Sequence, residues 1–303
     1  MKHSAIRAIG VIGTLLCLAL FIHEPSFPTP DKLFVFLVFV FMIFDQAWEF
    51  TRRLLPFVVV ILIYESFRSV ADKLNSHVNY TLAPHLDKLL FRGLPTASFQ
   101  RWLWHGHVQW YDIVLYIPYM MFFIIPLALA ILVWKTHPER YWQVITAYSL
   151  LFFSAFLTFL LLPTAPPWLA AQNHVIQPIT RISTNVWFAL GIHNFPSVYN
   201  HITPNPVAAF PSLHAGVSTL FSIIIFKLYG RRWGSLSLIY PALIFFGVVY
   251  EGEHYGSDVL AGIIYAIAAY LAAPYATAFL AKNWRRIKAA YSSSTRTALK
   301  SGQ

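Results

Sequence analysis

Apolar runs long enough to cross a lipid bilayer recur along this chain, and they constrain its fold more than any other feature. A spanning helix needs about 17–25 mainly apolar residues. Such runs occur at Ala5–Ile22, Leu33–Phe50, Leu54–Ala71, Trp110–Trp134, Tyr141–Leu162, Leu213–Tyr229, Gly234–Tyr250 and Ser257–Leu280. The second and third are short and are interrupted by Asp45, Glu49 and Glu65. Only 11% of the 303 residues are charged and 57% are hydrophobic, with a mean hydropathy of +0.57. A soluble domain carries roughly 25% charged residues, so lipid solvates most of this chain. The expected fold is all-α: a polytopic integral membrane helix bundle of about eight transmembrane helices with two long outward loops.

Lys2 and Arg7 stand ahead of the apolar core of the first run, as they would in a secretory signal. His23-Glu24-Pro25 follows it in place of a small-residue cleavage site, so the run is expected to remain as an anchor. The single cysteine, Cys17, excludes an intrachain disulfide. A net charge of +10 would point to nucleic acid on a soluble protein. Here it reads as topology. With eight spans and an internal N-terminus, one side holds 15 of the 22 basic residues: Lys2, Arg7, Arg52, Arg53, Lys135, Arg140, Lys227, Arg231, Arg232, Lys282, Arg285, Arg286, Lys288, Arg296 and Lys300. By the positive-inside tendency that side is cytoplasmic, as expected for an integral membrane protein, in the plasma membrane if bacterial.

No internal repeat or polar linker divides the chain. One membrane-embedded domain is expected over 1–281, with its catalytic half at about 141–280. Residues 282–303 form a basic cytoplasmic tail, solvated and touching anionic lipid. The loops Asp72–Gln109 and Pro163–Ser212 are too long for simple connections, and such loops usually carry function. In the first, Leu86, Leu89 and Leu90 with Trp102 and Trp104 suggest an interfacial helix and an aromatic belt. In the second, Val175, Ile179, Ile182, Val186 and Leu190 fall at helical spacing, with His174, Gln177, Arg181 and Asn185 on another face. That pattern predicts one helix roofing a cavity, framed by Pro163, Pro166, Pro167, Pro196, Pro204, Pro206 and Pro211.

Two short motifs carry the chemistry: Phe210-Pro211-Ser212-Leu213-His214-Ala215-Gly216 and Glu253-His254-Tyr255-Gly256-Ser257-Asp258. Each puts a histidine at the outer end of a predicted span. Asp258 follows His254 at i+4, on the same helix face. Two histidines, one aligned by a carboxylate, meet the needs of covalent phosphoryl transfer, with one imidazole attacking phosphorus and the other protonating the departing oxygen. Pro211 and Ser212 suit a helix start, whose free N–H groups attract phosphate. Ser212 is equally read as an ordinary N-cap, and His254–Asp258 alone as a surface pair favouring the helix dipole. It is the conjunction of both motifs on one membrane face that points to an enzyme.

These residues resemble the type 2 phosphatidic-acid phosphatase superfamily of membrane lipid phosphatases and phosphotransferases. Pro211-Ser212-Leu213-His214, and Glu253-His254-Tyr255 through Asp258-Val259-Leu260-Ala261-Gly262, look closest to its inositol-phosphotransferase branch, which includes inositol phosphorylceramide synthase. Pro163-Thr164-Ala165-Pro166-Pro167-Trp168 is similar to bacterial members. The resemblance covers Tyr141 to Leu280. It implies that His254 becomes a phosphohistidine, that Asp258 orients it, that His214 protonates the leaving group and then activates the acceptor, and that Ser212 holds a phosphate oxygen.

The sequence departs from the phosphatase pattern in two ways, both of which remove cations. No Lys, six residues, Arg-Pro signature precedes Pro211, and Val248 and Gly247 stand where Ser-Arg would precede His254. Arg181, the only basic residue of its loop, is the candidate replacement, with Arg68, Arg92 and Arg101 as rivals. The loss favours a transferase. No cofactor is implied. His105-Gly106-His107 is too small a set for a metal site, and no carboxylate cluster suits Mg²⁺. The expected function is a membrane phosphotransferase that moves a phosphoryl-containing headgroup from a lipid donor, a phospholipid or polyprenyl-phosphate-type lipid, to a hydroxyl acceptor, on the non-cytoplasmic face and with no nucleic-acid partner. The alternative is a lipid-phosphate phosphatase with water as acceptor. A transporter is a distant third, since its ionisable residues would sit near the bilayer midplane on repeat-related helices.

Overall fold

The computed structural model describes residues 2–23, 29–191 and 205–301. Pro196, Pro204, Glu24 and Pro25 lie outside the described residues. The protein is 78% helix, with no strand among the described residues. In chain order the helices are α1 (Lys2–His23), α2 (Pro30–Ile43), α3 (Ala47–Leu74), α4 (Leu82–Phe91), α5 (Pro95–Leu103), α6 (Trp110–Met120) and α7 (Ile124–Thr136). Then follow α8 (Tyr141–Leu161), α9 (Pro167–Gln172), α10 (Ile182–Ala189), α11 (Leu213–Ser237), α12 (Ile239–Tyr250) and α13 (Gly256–Ser301).

Among the described residues four helices are long and apolar enough to cross a membrane: His3–His23, Tyr141–Leu161, Leu213–Ser237 and Gly256–Lys288. A fifth is added if α6 and α7, bent by 51° at a short break, count as one span. The expected number was eight. The second expected run is divided by a turn at Asp45, whose φ of 59° stops α2 and whose Oδ2 accepts from Arg7 at 2.9 Å. The third lies in the 28-residue α3, whose charged residues include Glu49, Arg52, Arg53, Glu65 and Arg68. The seventh is shortened to the 12-residue α12.

Helices α3, α7, α8, α11 and α13 enclose the main core, with Phe57, Tyr148, Phe152, Leu220 and Ala266 fully or almost fully buried. Where α13 crosses α11 the backbones nearly touch. A Cβ on Gly262 would lie 2.2 Å from the Ser212 carbonyl oxygen, so only glycine fits. This crossing brings the two histidine motifs together.

One expectation about an element is corrected. The single helix over 175–190 is instead a non-helical run up to Arg181 followed by α10, because Pro178 lacks an N–H and disfavours helix in the residue before it. Ile182 and Val186 are nonetheless buried as the spacing predicts. The basic tail from Lys282 continues α13 as helix to Ser301.

Candidate active site

Three distant segments meet at the mouth of the bundle. Asn79 exchanges backbone hydrogen bonds with the 163–165 stretch, its N–H donating to Pro163 O at 2.7 Å and its carbonyl accepting from Ala165 N at 3.0 Å. Thr164 does the same with the next segment, donating to Val207 O at 2.8 Å and accepting from Ala209 N at 3.3 Å. The proline-rich motif thus fixes the Ala209 carbonyl, and that carbonyl receives the imidazole of His254.

His254 lies in the turn between α12 and α13. Its backbone N–H and that of Glu253 both donate to Val248 O, at 3.0 and 3.1 Å. The imidazole Nδ1 is 3.0 Å from Ala209 O and 3.5 Å from Asp258 Oδ2. A carbonyl can only accept, so Nδ1 carries a proton, and in the neutral imidazole that leaves the lone pair on Nε2. Asp258 is fully buried, and its Oδ2 also accepts the Tyr255 N–H at 2.8 Å. The nearest group holding the tautomer is therefore the Ala209 carbonyl, which carries no side-chain signal in the sequence. His214 enters from the first turn of α11, stacked on Tyr119 with centroids 4.1 Å apart and beside Phe122 at 4.7 Å. The two imidazole centroids are 5.8 Å apart.

Both histidines line a cavity of about 520 Å³, together with Glu65, Arg68, Tyr119, Trp168, Arg181, Ser183, Asn205 and Glu253. Arg181 reaches it, but as half of an ion pair. Its Nε and Nη2 donate to Glu253 Oε1 and Oε2 at 2.8 and 3.3 Å, and its guanidinium lies 4.4 Å from the Trp168 ring centre. The Ser183 hydroxyl also donates to Glu253. Burial works against the Arg181 charge, and Glu253 outweighs it, holding the guanidinium above its usual pKa. Arg68 is the second lining cation, 2.7 Å from Glu65 Oε2. Arg92 and Arg101 do not line the cavity. Glu251 and Glu253, on either side of Gly252 in the turn after α12, are both buried.

Ser212 is fully buried and outside the cavity lining; its hydroxyl accepts the Ala215 N–H at 3.4 Å as an N-cap. The 72–109 loop does more than lie at an interface. Gln100 in α5 bonds Thr180 O, Thr180 N and Tyr250 O at 2.8, 2.9 and 2.9 Å, tying the Arg181 segment to the end of α12. Among the described residues no group of three or more His, Cys, Asp or Glu side chains is placed to hold a metal ion.

An all-helical membrane protein with paired histidines and arginines around one cavity is equipped to handle a phosphate ester at a lipid surface. The chain belongs to the PAP2 superfamily, whose family model matches residues 86–272, more than half of its length. No curated protein and no solved structure matches it. The family match starts well before Tyr141, within α4, and so includes the helices beneath the His254 turn. Family chemistry is phosphatase or phosphotransferase action on lipid phosphates in the membrane.

Proposed function

We propose that this protein is a membrane phosphotransferase of the inositol-phosphotransferase type, moving a phosphoryl-containing headgroup from a lipid donor to a hydroxyl acceptor through a phosphohistidine. The observation that carries this reading is the pair His214–His254 on one cavity, with Nδ1 of His254 committed to Ala209 O. Nε2 of His254 attacks phosphorus; the P–N bond forms as the P–O bond to the lipid breaks. His214 gives its proton to the departing oxygen. The acceptor hydroxyl then attacks phosphorus, passing its proton to His214, and the P–N bond breaks. Arg181 and Arg68 hold the phosphate oxygens, and Asp258 backs the imidazolium-like charge on His254. Ser212 acts by capping α11 and so setting the angle of His214.

Support for an organic acceptor over water comes from the cavity wall. Each lining arginine is matched by a carboxylate, and Glu253, Glu65, Ser183 and Asn205 offer oxygen and nitrogen atoms to hydroxyl groups. The breadth of the family supports the second reading, a lipid-phosphate phosphatase in which water attacks the same intermediate. Incubating purified protein with labelled phospholipids, with and without polyols or lipid alcohols, separates the two. Label moving into the acceptor without inorganic phosphate is expected; release of inorganic phosphate independent of acceptor would make it a phosphatase. Movement of intact lipid across liposomes without headgroup loss would make it a transporter.

A further inference from the structure

One buried carboxylate close to the site has no part in the steps above. Asp87, in α4, is fully buried. Its Oδ2 accepts the Gly256 N–H at 3.0 Å and its Oδ1 accepts the Ser257 N–H at 2.7 Å. A helix start leaves its first N–H groups without partners, and a side chain just ahead of the helix usually supplies one. Here the residues ahead of α13 are Glu253, occupied by Arg181, then His254 and Tyr255. The cap comes from another helix instead. With Asp258 on the Tyr255 N–H, two carboxylates hold three consecutive backbone donors immediately after His254.

The surroundings tighten the same link. The Ser257 hydroxyl donates to Ala83 O at 3.3 Å, and the Thr96 hydroxyl approaches His254 O at 3.5 Å. Tyr255 is fully buried among Ala83, Leu94 and Ala97 of α4, α5 and their connection. Burial raises the Asp87 pKa, and the Ser257 and Gly256 contacts oppose that rise. No residue of α4 lines the cavity, so Asp87 does not touch substrate.

We propose that Asp87 is a positioning residue for the transfer: α4 caps α13 and thereby fixes where His254 presents Nε2. This rests on the phosphohistidine reading above. The imidazole is tethered at Nδ1 to the 207–209 segment, while its backbone is tethered through Gly256 and Ser257 to α4. Releasing the second tether lets the ring pivot about the first. Reacting atoms must sit about 3–3.5 Å apart, and a misplacement of about 1 Å costs on the order of 10²-fold in rate. The arginines proposed to bind the phosphate are held by Glu253 and Glu65, and the Glu253 backbone is anchored separately on Val248 O, so the loss falls on kcat and leaves KM for the donor unchanged.

The test is the rate at which labelled donor leaves acid-labile label on the solubilised full-length protein, alongside steady-state kcat and KM. Asp87→Ala should label about 100-fold more slowly than wild type. Asp87→Asn, which keeps one acceptor oxygen, should fall between them, and Asp87→Glu, which keeps both oxygens but sets them one methylene further out, should be slowed less than Asp87→Asn while staying measurably slower than wild type. Donor KM should stay at the wild-type value throughout. Wild-type labelling rates in Asp87→Asn, or a rise in KM that accounts for the whole loss, would overturn the proposal. If Asp87→Ala and Asp87→Asn do not fold, Asp87→Glu decides it: a slower rate at constant KM supports positioning, and an unchanged rate overturns it. A wild-type protein that takes up no acid-labile label would instead overturn the phosphohistidine reading itself, which keeps the two failures distinct.

Discussion

His254 has three neighbours of different legibility. Asp258 could be read from its i+4 spacing, and His214 from its place in a matching motif. The Ala209 carbonyl could not, because a backbone acceptor leaves no residue-type signature. Its presence changes an expectation. In the serine-protease relay, losing the carboxylate's charge costs about 10⁴-fold. Here Ala209 O still holds Nδ1–H, so Asp258→Asn should lower turnover by roughly 10–100-fold only, a gap that kcat measurements on the purified variant would resolve. Arg181 was legible as the one cation of its loop, but its partner Glu253 was not, since 72 positions separate them. Arg181→Ala should lower turnover by on the order of 10²-fold, and Arg181→Lys should restore part of that, lacking the planar fork that grips both Glu253 and a phosphate. Wild-type turnover in Arg181→Ala would pass the role to Arg68. Glu251 is fully buried with no protein partner for either carboxyl oxygen, and burial, then Glu253 and Asp112, push its pKa well up. Its folded-state pKa is raised, so its contribution to stability is full at low pH and is lost as pH rises through that raised value. Glu251→Gln should therefore match wild type at acidic pH and outlast it at alkaline pH in thermal melts; identical alkaline melting would contradict this.

At the scale of elements, apolar periodicity predicted what it physically encodes. Long runs became helices, and Ile182 and Val186 turned inward as spaced. Where backbone chemistry overrides periodicity the reading went astray: Pro178 ends the expected 175–190 helix, and the turn at Asp45 divides the second run. Tertiary caps such as Asp87 were hidden for a similar reason, because a lone acid in Leu86-Asp87-Lys88-Leu89 looks like the polar face of a surface helix. The contact of α11 with α13 is the element-level feature on which the site most depends. Gly262 meets the Ser212 backbone there, and backbone cannot yield as a side-chain tip can. Gly262→Leu should separate the helices, lowering stability by about 1–3 kcal/mol or more and abolishing activity. A variant that melts and turns over like wild type would show that the crossing is looser than the structure has it.

For the whole molecule, the eight-span arrangement expected from the sequence divides the basic residues 15 to 7 and would put the cavity-lining Arg68 and Arg181 with the minority. The structure has four or five helices that qualify as spans by length and apolarity, so the face of the active site is a separate prediction. In a Cys17→Ala background, a cysteine at exposed Asn173, just past α9, should react with an impermeant maleimide on intact cells, and one at Glu139, between α7 and α8, only after permeabilisation. The reverse pattern would turn the bundle over. The central claim is that one histidine of the pair carries the phosphoryl group while the other moves protons. It is tested most directly by trapping the intermediate from a labelled donor with a good leaving group, followed by acid and alkali treatment. A P–N bond gives label that acid removes and alkali spares. The account predicts such label on the wild type, none on His254→Gln, and accumulation on His214→Gln, where nothing activates the acceptor. Equal label on wild type and His254→Gln, with His214→Gln unlabelled, would contradict it.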